Sequence, residues 1–436
     1  MSRFHADVLV LGGGLTGLAT AYFLRGRREC VVCERESAPG GLARSVRCGK
    51  FTFDLTGHLL HMRRPENRAL VKRLLRGNWV HVERRSSVFS HGALTPYPFQ
   101  ANLHGLPPEV VRECLLSFVG ARQAKRSPEA PKKKSFKAWA RETFGDGIAR
   151  HFMIPYNEKL WRTDLDALTA DWVSWSVPRP SLEDVVRGAL GIGKKQFGYN
   201  PTFLYPREGG VGAFSTALAR RVDGLRLGAC VRAIDLRRRK VRFANGDTAT
   251  YNCLVSTMPL PRLVGRACGV PQALQRLGGK LRFVNVLNFN LGLRGKKRCE
   301  SHWVYFPEKE FVFYRVGFPS NFAPALAPRG HSTAYVEVSY RSGERPRVRD
   351  LYRRVVEGLK RWGAVKREGD IAMVDARRIE PAYVLFDGAR REAVERLRAF
   401  FDKHGVASLG RYGQWDYLSM EDSLNAGRAA AERLAK

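Results

Sequence analysis

Three glycines and one acid carry the first recognisable chemistry. Gly12, Gly14 and Gly17 stand in the order G-x-G-x-x-G within Gly12-Gly13-Gly14-Leu15-Thr16-Gly17, and Glu34 lies 22 residues after Gly12. The chemistry is binding. Gly12 permits a tight turn, Gly14 lets backbone approach a pyrophosphate, Gly17 lets a helix pack close to a strand, and the acid accepts from ribose hydroxyls. The spacing requires particular elements around it. Ala6–Leu11 is a short apolar run of buried-strand type, Ala19–Arg25 continues with helical spacing, and Cys30–Cys33 is a second apolar strand running into Glu34. A bare glycine pattern also fits a ligand-free turn; strand, glycines, helix, second strand and terminal acid together indicate a dinucleotide site.

Pro39-Gly40-Gly41-Leu42-Ala43-Arg44 is a second glycine-rich turn, followed by Phe51-Thr52-Phe53-Asp54 and Gly57-His58. This run resembles the segment that passes under a flavin in amine-oxidase-like flavoproteins, so the expected dinucleotide is FAD rather than NAD. A later turn at Gly209-Gly210 reads either as backbone approaching an isoalloxazine ring or as an ordinary strand-to-helix turn.

Composition sets the outer limits. The chain has 436 residues, 44% hydrophobic and 27% charged, enough for a large core in two or three domains. No apolar run reaches the length of a membrane span, and the first strand begins too near Met1 for a signal peptide. A cytoplasmic protein without a membrane span is the expectation. The net charge of +34 admits an anionic ligand, nucleic acid or an anionic membrane. The arginines are scattered, however, and no nucleic-acid-binding motif accompanies them, so most read as solvated surface and no nucleic-acid partner is expected. The dense run Arg122–Lys137 is broken by prolines and reads as a surface loop. The eight cysteines are expected to be thiols. Cys30 and Cys33 have a redox or zinc spacing, yet both fall in the expected second strand and no second pair follows, so no metal is assigned.

The order of elements predicts an α/β chain: a Rossmann-like FAD-binding domain with an inserted helical domain and an antiparallel-sheet substrate domain. Residues 1–62, 200–265 and 375–436 read as the discontinuous FAD-binding domain, 63–199 as the helical insertion and 266–374 as the antiparallel sheet. Helices are expected at Glu66–Leu75, Pro108–Val119, Phe136–Phe144, Gly147–Phe152 and Leu182–Leu190. Strands are expected at Phe283–Asn290, Trp303–Phe306, Phe311–Gly317, Ala334–Tyr340 and 371–379. The chain closes with a helix at Met420–Leu434, with Asp422-Ser423 as its N-cap and its positive end aimed at the flavin.

Five stretches go further. They are Pro96-Tyr97-Pro98-Phe99-Gln100; Phe152 with Pro155-Tyr156-Asn157 and Trp161; Trp303-Val304-Tyr305-Phe306-Pro307; Phe313-Tyr314-Arg315; and Gly410-Arg411-Tyr412-Gly413 with Trp415 and Tyr417. Aromatics beside amides can stack on and read a uracil ring, although such a cluster alone is more often core. Through these stretches the chain resembles the flavin-dependent UDP-galactopyranose mutases, especially their eukaryotic branch, within the amine-oxidase and protoporphyrinogen-oxidase-like FAD superfamily. The resemblance implies uridine contacts from Tyr97, Phe99, Gln100, Phe152, Tyr156, Asn157 and Trp161, making 63–199 the uridine-binding domain. It implies sugar-diphosphate contacts from Asn200, Trp303, Tyr305, Arg315, Tyr383, Arg411 and Tyr417. It implies FAD contacts from Gly12, Gly14, Gly17, Glu34, Gly40, Gly41, Leu42, Gly57, His58, Gly210, Arg411, Asp422 and Ser423. Arg84 and Ser86 match a pair that holds a reducing NADPH or NADH. His58, Arg315 and Arg411 are the implied catalytic residues. The implied reaction interconverts pyranose and furanose forms of a UDP-sugar, by default UDP-galactose, through attack of reduced flavin N5 on the anomeric carbon. The flavin is then the nucleophile, and no side-chain nucleophile is required.

The chain departs from that pattern at three places. Ser176 stands where a mutase arginine clamps the diphosphate, with Arg162, Arg179 or Arg207 as candidate substitutes. Phe322 replaces a tyrosine near the diphosphate, and His61 replaces an aromatic close to the flavin. Two other readings stay open: an FAD-dependent oxidoreductase of the amine oxidase or protoporphyrinogen oxidase type, and a non-catalytic nucleotide- or nucleic-acid-binding protein using the positive charge.

Overall fold

The computed structural model describes residues 2–124, 134–173, 177–192, 197, 201–295 and 298–436. Its first strand, Arg3–Leu11, lies inside an eight-stranded sheet, hydrogen-bonded in parallel to Thr248–Ser256 on one side and to Cys30–Cys33 on the other. That placement explains the unbroken apolar run. A central parallel strand is covered on both faces, and Val8 to Leu11 have no exposed surface. Gly224–Arg226 extends the sheet beyond Cys30–Cys33, and Lys240–Phe243, Val231–Asp235 and Ala267–Cys268 extend it on the other side. Val406–Ser408 also pairs in parallel with Thr248–Ser256, bringing the end of the chain to its beginning. The first helix, Leu15–Leu24, packs against the last, Met420–Leu434.

The second sheet has seven strands in the order Ile371–Val384, Phe283–Arg294, His331–Arg341, Arg315–Gly317, Trp303–Tyr305, Ser86–Ser90 and Ala93–Pro96. It is antiparallel except where Trp303–Tyr305 meets Ser86–Ser90 in parallel. One face packs an aromatic core of Phe306, Phe311 and Phe313 against helix Val348–Trp362. Gly358 of that helix makes room, since a Cβ there would lie 2.7 Å from the Phe313 ring.

The α/β architecture follows the sequence expectation, and the details differ in instructive ways. The block from 63 to 199 supplies the helices Pro65–Leu75, Pro108–Gln123, Phe136–Ile148, Ile154–Trp161 and Leu182–Ala189, but also the hairpin Ser86–Ser90/Ala93–Pro96 and the strand Val80–Glu83, which pairs with Thr202–Tyr205. These strands span only four or five residues, too few for a period of two to declare itself. Where an ordinary helix was expected over Gly147–Phe152, Ala149–Met153 forms a π-helical turn. Only Arg315–Gly317 of the expected strand Phe311–Gly317 is extended in the sheet, because Phe311 and Phe313 turn into the core. Ile371–Val384 runs past the expected end at 379. Among the described residues, no helix is long and apolar enough to cross a membrane.

The last helix is capped by Ser419, not by Asp422-Ser423. Ser419 Oγ accepts from the Asp422 N–H at 3.1 Å, and Asp422 Oδ2 accepts from the Ser419 N–H at 3.0 Å. Asp422 is therefore the third residue of a capping box. Next to it Glu421 is fully buried and accepts from the backbone N–H of Arg63 and Arg64, the Arg63 Nε and the Asn67 Nδ2, at 2.8–3.1 Å. Burial alone would raise its pKa, but these donors hold it down to about 2, against 4.5 for a free glutamate. A carboxyl with a depressed native pKa stabilises the fold above its unfolded value, and that stability is lost as pH falls towards the native one. Glu421→Ala is expected to cost about 3–5 kcal/mol at pH 7, by denaturant titration. The difference between wild type and variant should shrink as the pH is lowered from about 4.5 towards 2.

Candidate functional site

The site starts at the end of the first strand. Gly12 has φ +109°, and a Cβ on Gly17 would lie 2.0 Å from the Gly12 carbonyl oxygen, so the first helix can begin only where both are glycine. The Gly13 N–H donates to Glu34 Oε2 at 2.6 Å, and the Glu36 N–H donates to Glu34 Oε1 at 2.9 Å. Two backbone donors thus fix the acid at the floor of a cavity that it lines. The second glycine turn closes against the first. Gly40 donates to the Gly13 carbonyl at 2.7 Å, and a Cβ on Gly41 would approach Gly14 Cα to 3.1 Å.

From these turns one cavity of about 840 Å³ runs past His58 to an aromatic pocket. Gly57 is a glycine because the Tyr335 hydroxyl would sit 2.3 Å from any Cβ there. His58 turns Nδ1 towards Thr56, at 3.0 Å from its Oγ1 and 3.3 Å from its carbonyl oxygen, which leaves Nε2 for the cavity. Burial, and then the positive charge of Arg411, lower its pKa to about 4, so the imidazole is neutral at physiological pH. Arg315 forms a two-pronged pair with the fully buried Glu337, Nε to Oε2 at 2.6 Å and Nη2 to Oε1 at 2.8 Å, leaving Nη1 uncommitted to the carboxylate. Arg411 donates to the carbonyls of Leu418 and Ala382 at 3.2 and 3.3 Å and lies over the Tyr417 ring at 4.3 Å. Its buried Nε has no protein partner, and neither has the Arg44 Nε. Both arginines line the cavity.

The far wall is aromatic. Tyr97 and Tyr156 flank Tyr305 with ring centroids 5.1 and 5.4 Å away, and Trp161 meets Trp172 at 5.1 Å. Trp303 donates from Nε1 to the Tyr305 hydroxyl at 2.9 Å, and Tyr383 stacks on Tyr417. All eight of these aromatics line the cavity. Phe99 and Phe152 do not; they stack behind Tyr156 as a second layer. The two amides are also set back. Asn157 bonds Trp161 Nε1 and the Met153 carbonyl, while Gln100 donates to the Pro178 carbonyl. They brace the wall rather than line it, although the buried Gln100 Oε1 lacks a partner.

Other expected residues are distributed as follows. Gly14, Leu42, Arg84 and Ser423 line the cavity with those already named, whereas Gly17, Ser86, Gly210 and Asp422 do not. Gly210 lies behind it, where a Cβ would strike Ser45 Oγ and Asp54 Oδ1 within 2.5 Å; it serves the network around buried Asp54 and not a ring face. Asp422 pairs with Arg63, and Ser86 is buried in its strand. Asn200 and Ser176 lie outside the described residues. Arg162, Arg179 and Arg207 do not line the cavity, and Phe322 packs on Phe203 and Tyr205. His61 does line it, with Nδ1 2.8 Å from the Thr202 carbonyl. The sequence reading missed Arg44, Tyr314, Tyr335, Arg377 and Arg378, all on the wall. Arg44 and Tyr314 sat inside motifs that were noticed; alternation of Tyr335 with Glu337 along one strand was the available signal for another.

Glycine cradle, buried acid and continuous aromatic cavity define a dinucleotide-binding fold with an aromatic pocket at the far end of the same cavity. The chain belongs to the flavin-containing amine oxidoreductase family, whose model matches residues 15–435. Its structure is similar to that of a reduced UDP-galactopyranose mutase, with TM-score 0.92 and 27% identity over 98% of this chain and 93% of that one. A putative protoporphyrinogen oxidase from Exiguobacterium sp. 255-15 shares the fold at TM-score 0.76 and 16% identity, covering 100% of this chain and 99% of that one. Coproporphyrinogen III oxidase from Propionibacterium freudenreichii subsp. freudenreichii is 30% identical over 193 residues, 41% of this chain but only 35% of that protein. The family implies FAD, and the residues present fit it: two facing glycine turns that a Cβ would fill, and the unpartnered Nε donors of Arg44 and Arg411.

Gly17→Val is expected to abolish flavin retention, read as loss of the 450 nm band from a variant whose helical circular dichroism confirms folding. His58→Gln should lessen the fall in thermal stability between about pH 6.5 and 4. In that window the unfolded chain takes up a proton that folded His58 refuses.

Proposed function

We propose that this protein is a flavin-dependent isomerase that interconverts pyranose and furanose forms of a UDP-sugar, with UDP-galactose as the default substrate, and that it works in the cytoplasm. The observation that carries the reading is that Arg315 and Arg411 line the same cavity as the glycine turns and the aromatic pocket. Arg411 lies over the Tyr383 ring at 5.4 Å, and Arg315 is fixed by Glu337. A diphosphate leaving group is a compact double anion, and guanidinium donors on the walls of one cavity suit it.

Reduced FAD, when bound, supplies the nucleophile for the anomeric carbon. The chain's own residues do the rest. Tyr97, Tyr156 and Trp161 offer ring faces and edges to a uracil. Glu337 holds Arg315 through two bonds, so the free Nη1 points in a fixed direction and little side-chain freedom is lost when phosphate arrives. Arg411 is held by carbonyls and tyrosine faces rather than by a carboxylate, and keeps its full charge for the anion. Neutral His58 exposes Nε2, an acceptor for a sugar hydroxyl, if Nδ1–H donates to the Thr56 carbonyl. The aromatic and tyrosine walls limit water around the reacting sugar. Arg84, over the Tyr97 ring at 5.4 Å, is the cavity-lining member of the pair assigned to NADPH or NADH.

The test is to incubate FAD-loaded protein, reduced with dithionite under anaerobic conditions, with UDP-galactopyranose and with UDP-galactofuranose, and to follow both by chromatography. Interconversion by reduced protein and none by oxidised protein is expected. Arg315→Lys keeps the charge but loses the fork, and KM should rise about 10- to 100-fold, equivalent to about 1.4–2.7 kcal/mol. The likeness to coproporphyrinogen III oxidase favours a second reading, an FAD-dependent oxidase. Flavin bleaching or peroxide release driven by a porphyrinogen, with UDP-sugars untouched, would replace the first reading with the second.

A further inference from the structure

We infer that four arginines at the mouth of the cavity, Arg35, Arg262, Arg266 and Arg378, draw the anionic flavin dinucleotide into its channel and set how fast the protein acquires its cofactor. Most of the cavity lining is buried or half-buried. Among the described residues that line it, only five are exposed, and these are the four arginines and Cys230. Exposed lining marks where a cavity opens to solvent, so the opening is framed almost wholly by guanidinium groups. They come from three separate parts of the chain. Arg35 follows soon after the strand Cys30–Cys33, Arg262 and Arg266 lie on the short helix Leu260–Arg266, and Arg378 lies on the strand Ile371–Val384.

The four are gathered, not scattered. Arg262 Nη2 donates to the Glu380 carbonyl at 3.2 Å, which sets it beside the strand that carries Arg378 two residues earlier. Arg378 Nη2 donates to the Pro346 carbonyl at 2.7 Å, and Arg266 Nη1 to the Arg232 carbonyl at 3.2 Å. Carbonyls steady these three side chains without cancelling their charge, and among the described residues none of the three pairs with a carboxylate. The charges are close enough to act on one another. Burial lowers the Arg262 pKa, Arg35 lowers it further, and Glu380 opposes them only in part. Two acids share the opening. Glu36 is divided between Arg35 at 3.1 Å and Arg44 at 3.5 Å, and Glu380 Oε1 accepts from the Tyr340 hydroxyl at 2.6 Å. Four cations against two acids leave the mouth positive on its own residues.

Position selects the ligand. The Ala229 N–H donates to the Glu34 carbonyl at 2.8 Å, and the Gly228 N–H to the Glu36 carbonyl at 3.0 Å, so this opening lies directly beside the acid expected to hold a ribose. The aromatic pocket is at the other end of the cavity, and none of its described aromatic lining is exposed. The anion that passes the arginines is therefore the dinucleotide, on its way to the glycine turns. An opening lined by one sign of charge focuses its field outwards, and such openings raise association rates by about 10- to 1,000-fold. Charges at a rim act mainly on the rate of arrival and its salt dependence, while buried contacts govern departure. The inference rests on FAD as the cofactor and holds for an isomerase and an oxidase alike.

Purified holoprotein is stripped of its flavin, and the apoprotein is mixed with FAD in a stopped-flow instrument while flavin fluorescence is followed. The flavin of the starting holoprotein tests the cofactor assignment separately, and regain of its spectrum shows that the apoprotein is competent. Dissociation is timed by diluting the holoprotein. At low salt the paired change Arg262→Gln with Arg266→Gln is expected to slow association about tenfold or more and to flatten its fall with ionic strength, with dissociation changed less than about twofold. Arg353→Gln with Arg354→Gln removes the same charge from exposed positions on the helix Val348–Trp362, across the seven-stranded sheet from the cavity, and should associate like wild type. An unchanged association rate in the mouth variant would overturn the inference. So would faster dissociation at an unchanged association rate, since the arginines would then hold bound cofactor and not attract it. Equal slowing in both variants would overturn it in favour of whole-chain charge. Circular dichroism matching wild type confirms that both variants are folded.

Discussion

The structure depends on how closely separate pieces of backbone come together where the first helix begins. Gly17 leans on the Gly12 carbonyl, and Gly41 on Gly14. From the far end of the chain, a Cβ on Gly410 would lie 2.7 Å from Thr16 Oγ1 and one on Gly427 2.6 Å from the Thr16 carbonyl. Segments some four hundred residues apart therefore meet on one turn of helix, with only the small side chains of Thr16 and Ala19 at the contact. The helix N-terminus, with its unpaired N–H groups, is left facing the cavity, and its positive end becomes a fixed part of the binding site. Added methyl groups in such packing cost about 1–3 kcal/mol each, and here they would displace the wall on which a cofactor must rest.

The same cavity is unusual in its charge. Among the described residues, nine arginines line it against three acids, Glu34, Glu36 and Glu380. The protein tolerates this in two distinct ways. Arg315 is matched by a buried carboxylate, which neutralises it and fixes its direction. Arg411 is matched by carbonyl dipoles and by the faces of Tyr383, Tyr412 and Tyr417, which steady the guanidinium without cancelling its charge. The first arrangement supplies geometry, the second supplies field. The field reaches His58, which it helps to keep neutral, so the positive potential and the neutral imidazole are parts of one electrostatic arrangement.

Residues next to each other in sequence were the legible ones. The glycine turn between strand and helix, the position of Glu34 after the second strand, and the span of the last helix though not its cap were legible because each is a local pattern with a local cause. The lining aromatics at 97, 156, 161, 303, 305 and 417 came with motifs, so the motif singled them out before the fold did. What escaped was depth. Phe99 and Tyr97 are two residues apart, yet one lines the cavity and the other packs behind it, and nothing in their types distinguishes a wall from its backing. Asn157 and Gln100 look like ligand-reading amides, but the local chain claims them first, through Met153, Trp161 and Pro178. Gly210 shows the same limit. Its left-handed φ of 64° was foreseeable from a glycine pair, but whether ring or carboxylate lay against it depended on Asp54, more than 150 residues earlier.

Positive charge alone does not separate a sugar-nucleotide isomerase from a porphyrinogen oxidase, because a porphyrinogen also carries carboxylates. Spacing is the better discriminant. Carboxylates on a macrocycle's rim are spread widely, and arginines that recognise them need not share a target. Arg315 and Arg411 come from different elements, one from the antiparallel sheet and one from the short helix Gly410–Gly413, and line one cavity. Glu337 offsets the charge of Arg315 but leaves its Nη1 as a donor, while Arg411 is held by carbonyls and has no carboxylate partner among the described residues. Under the proposed reading, a compact diphosphate would take up the charge of Arg411 and the donor of Arg315 together, which widely spread carboxylates would not.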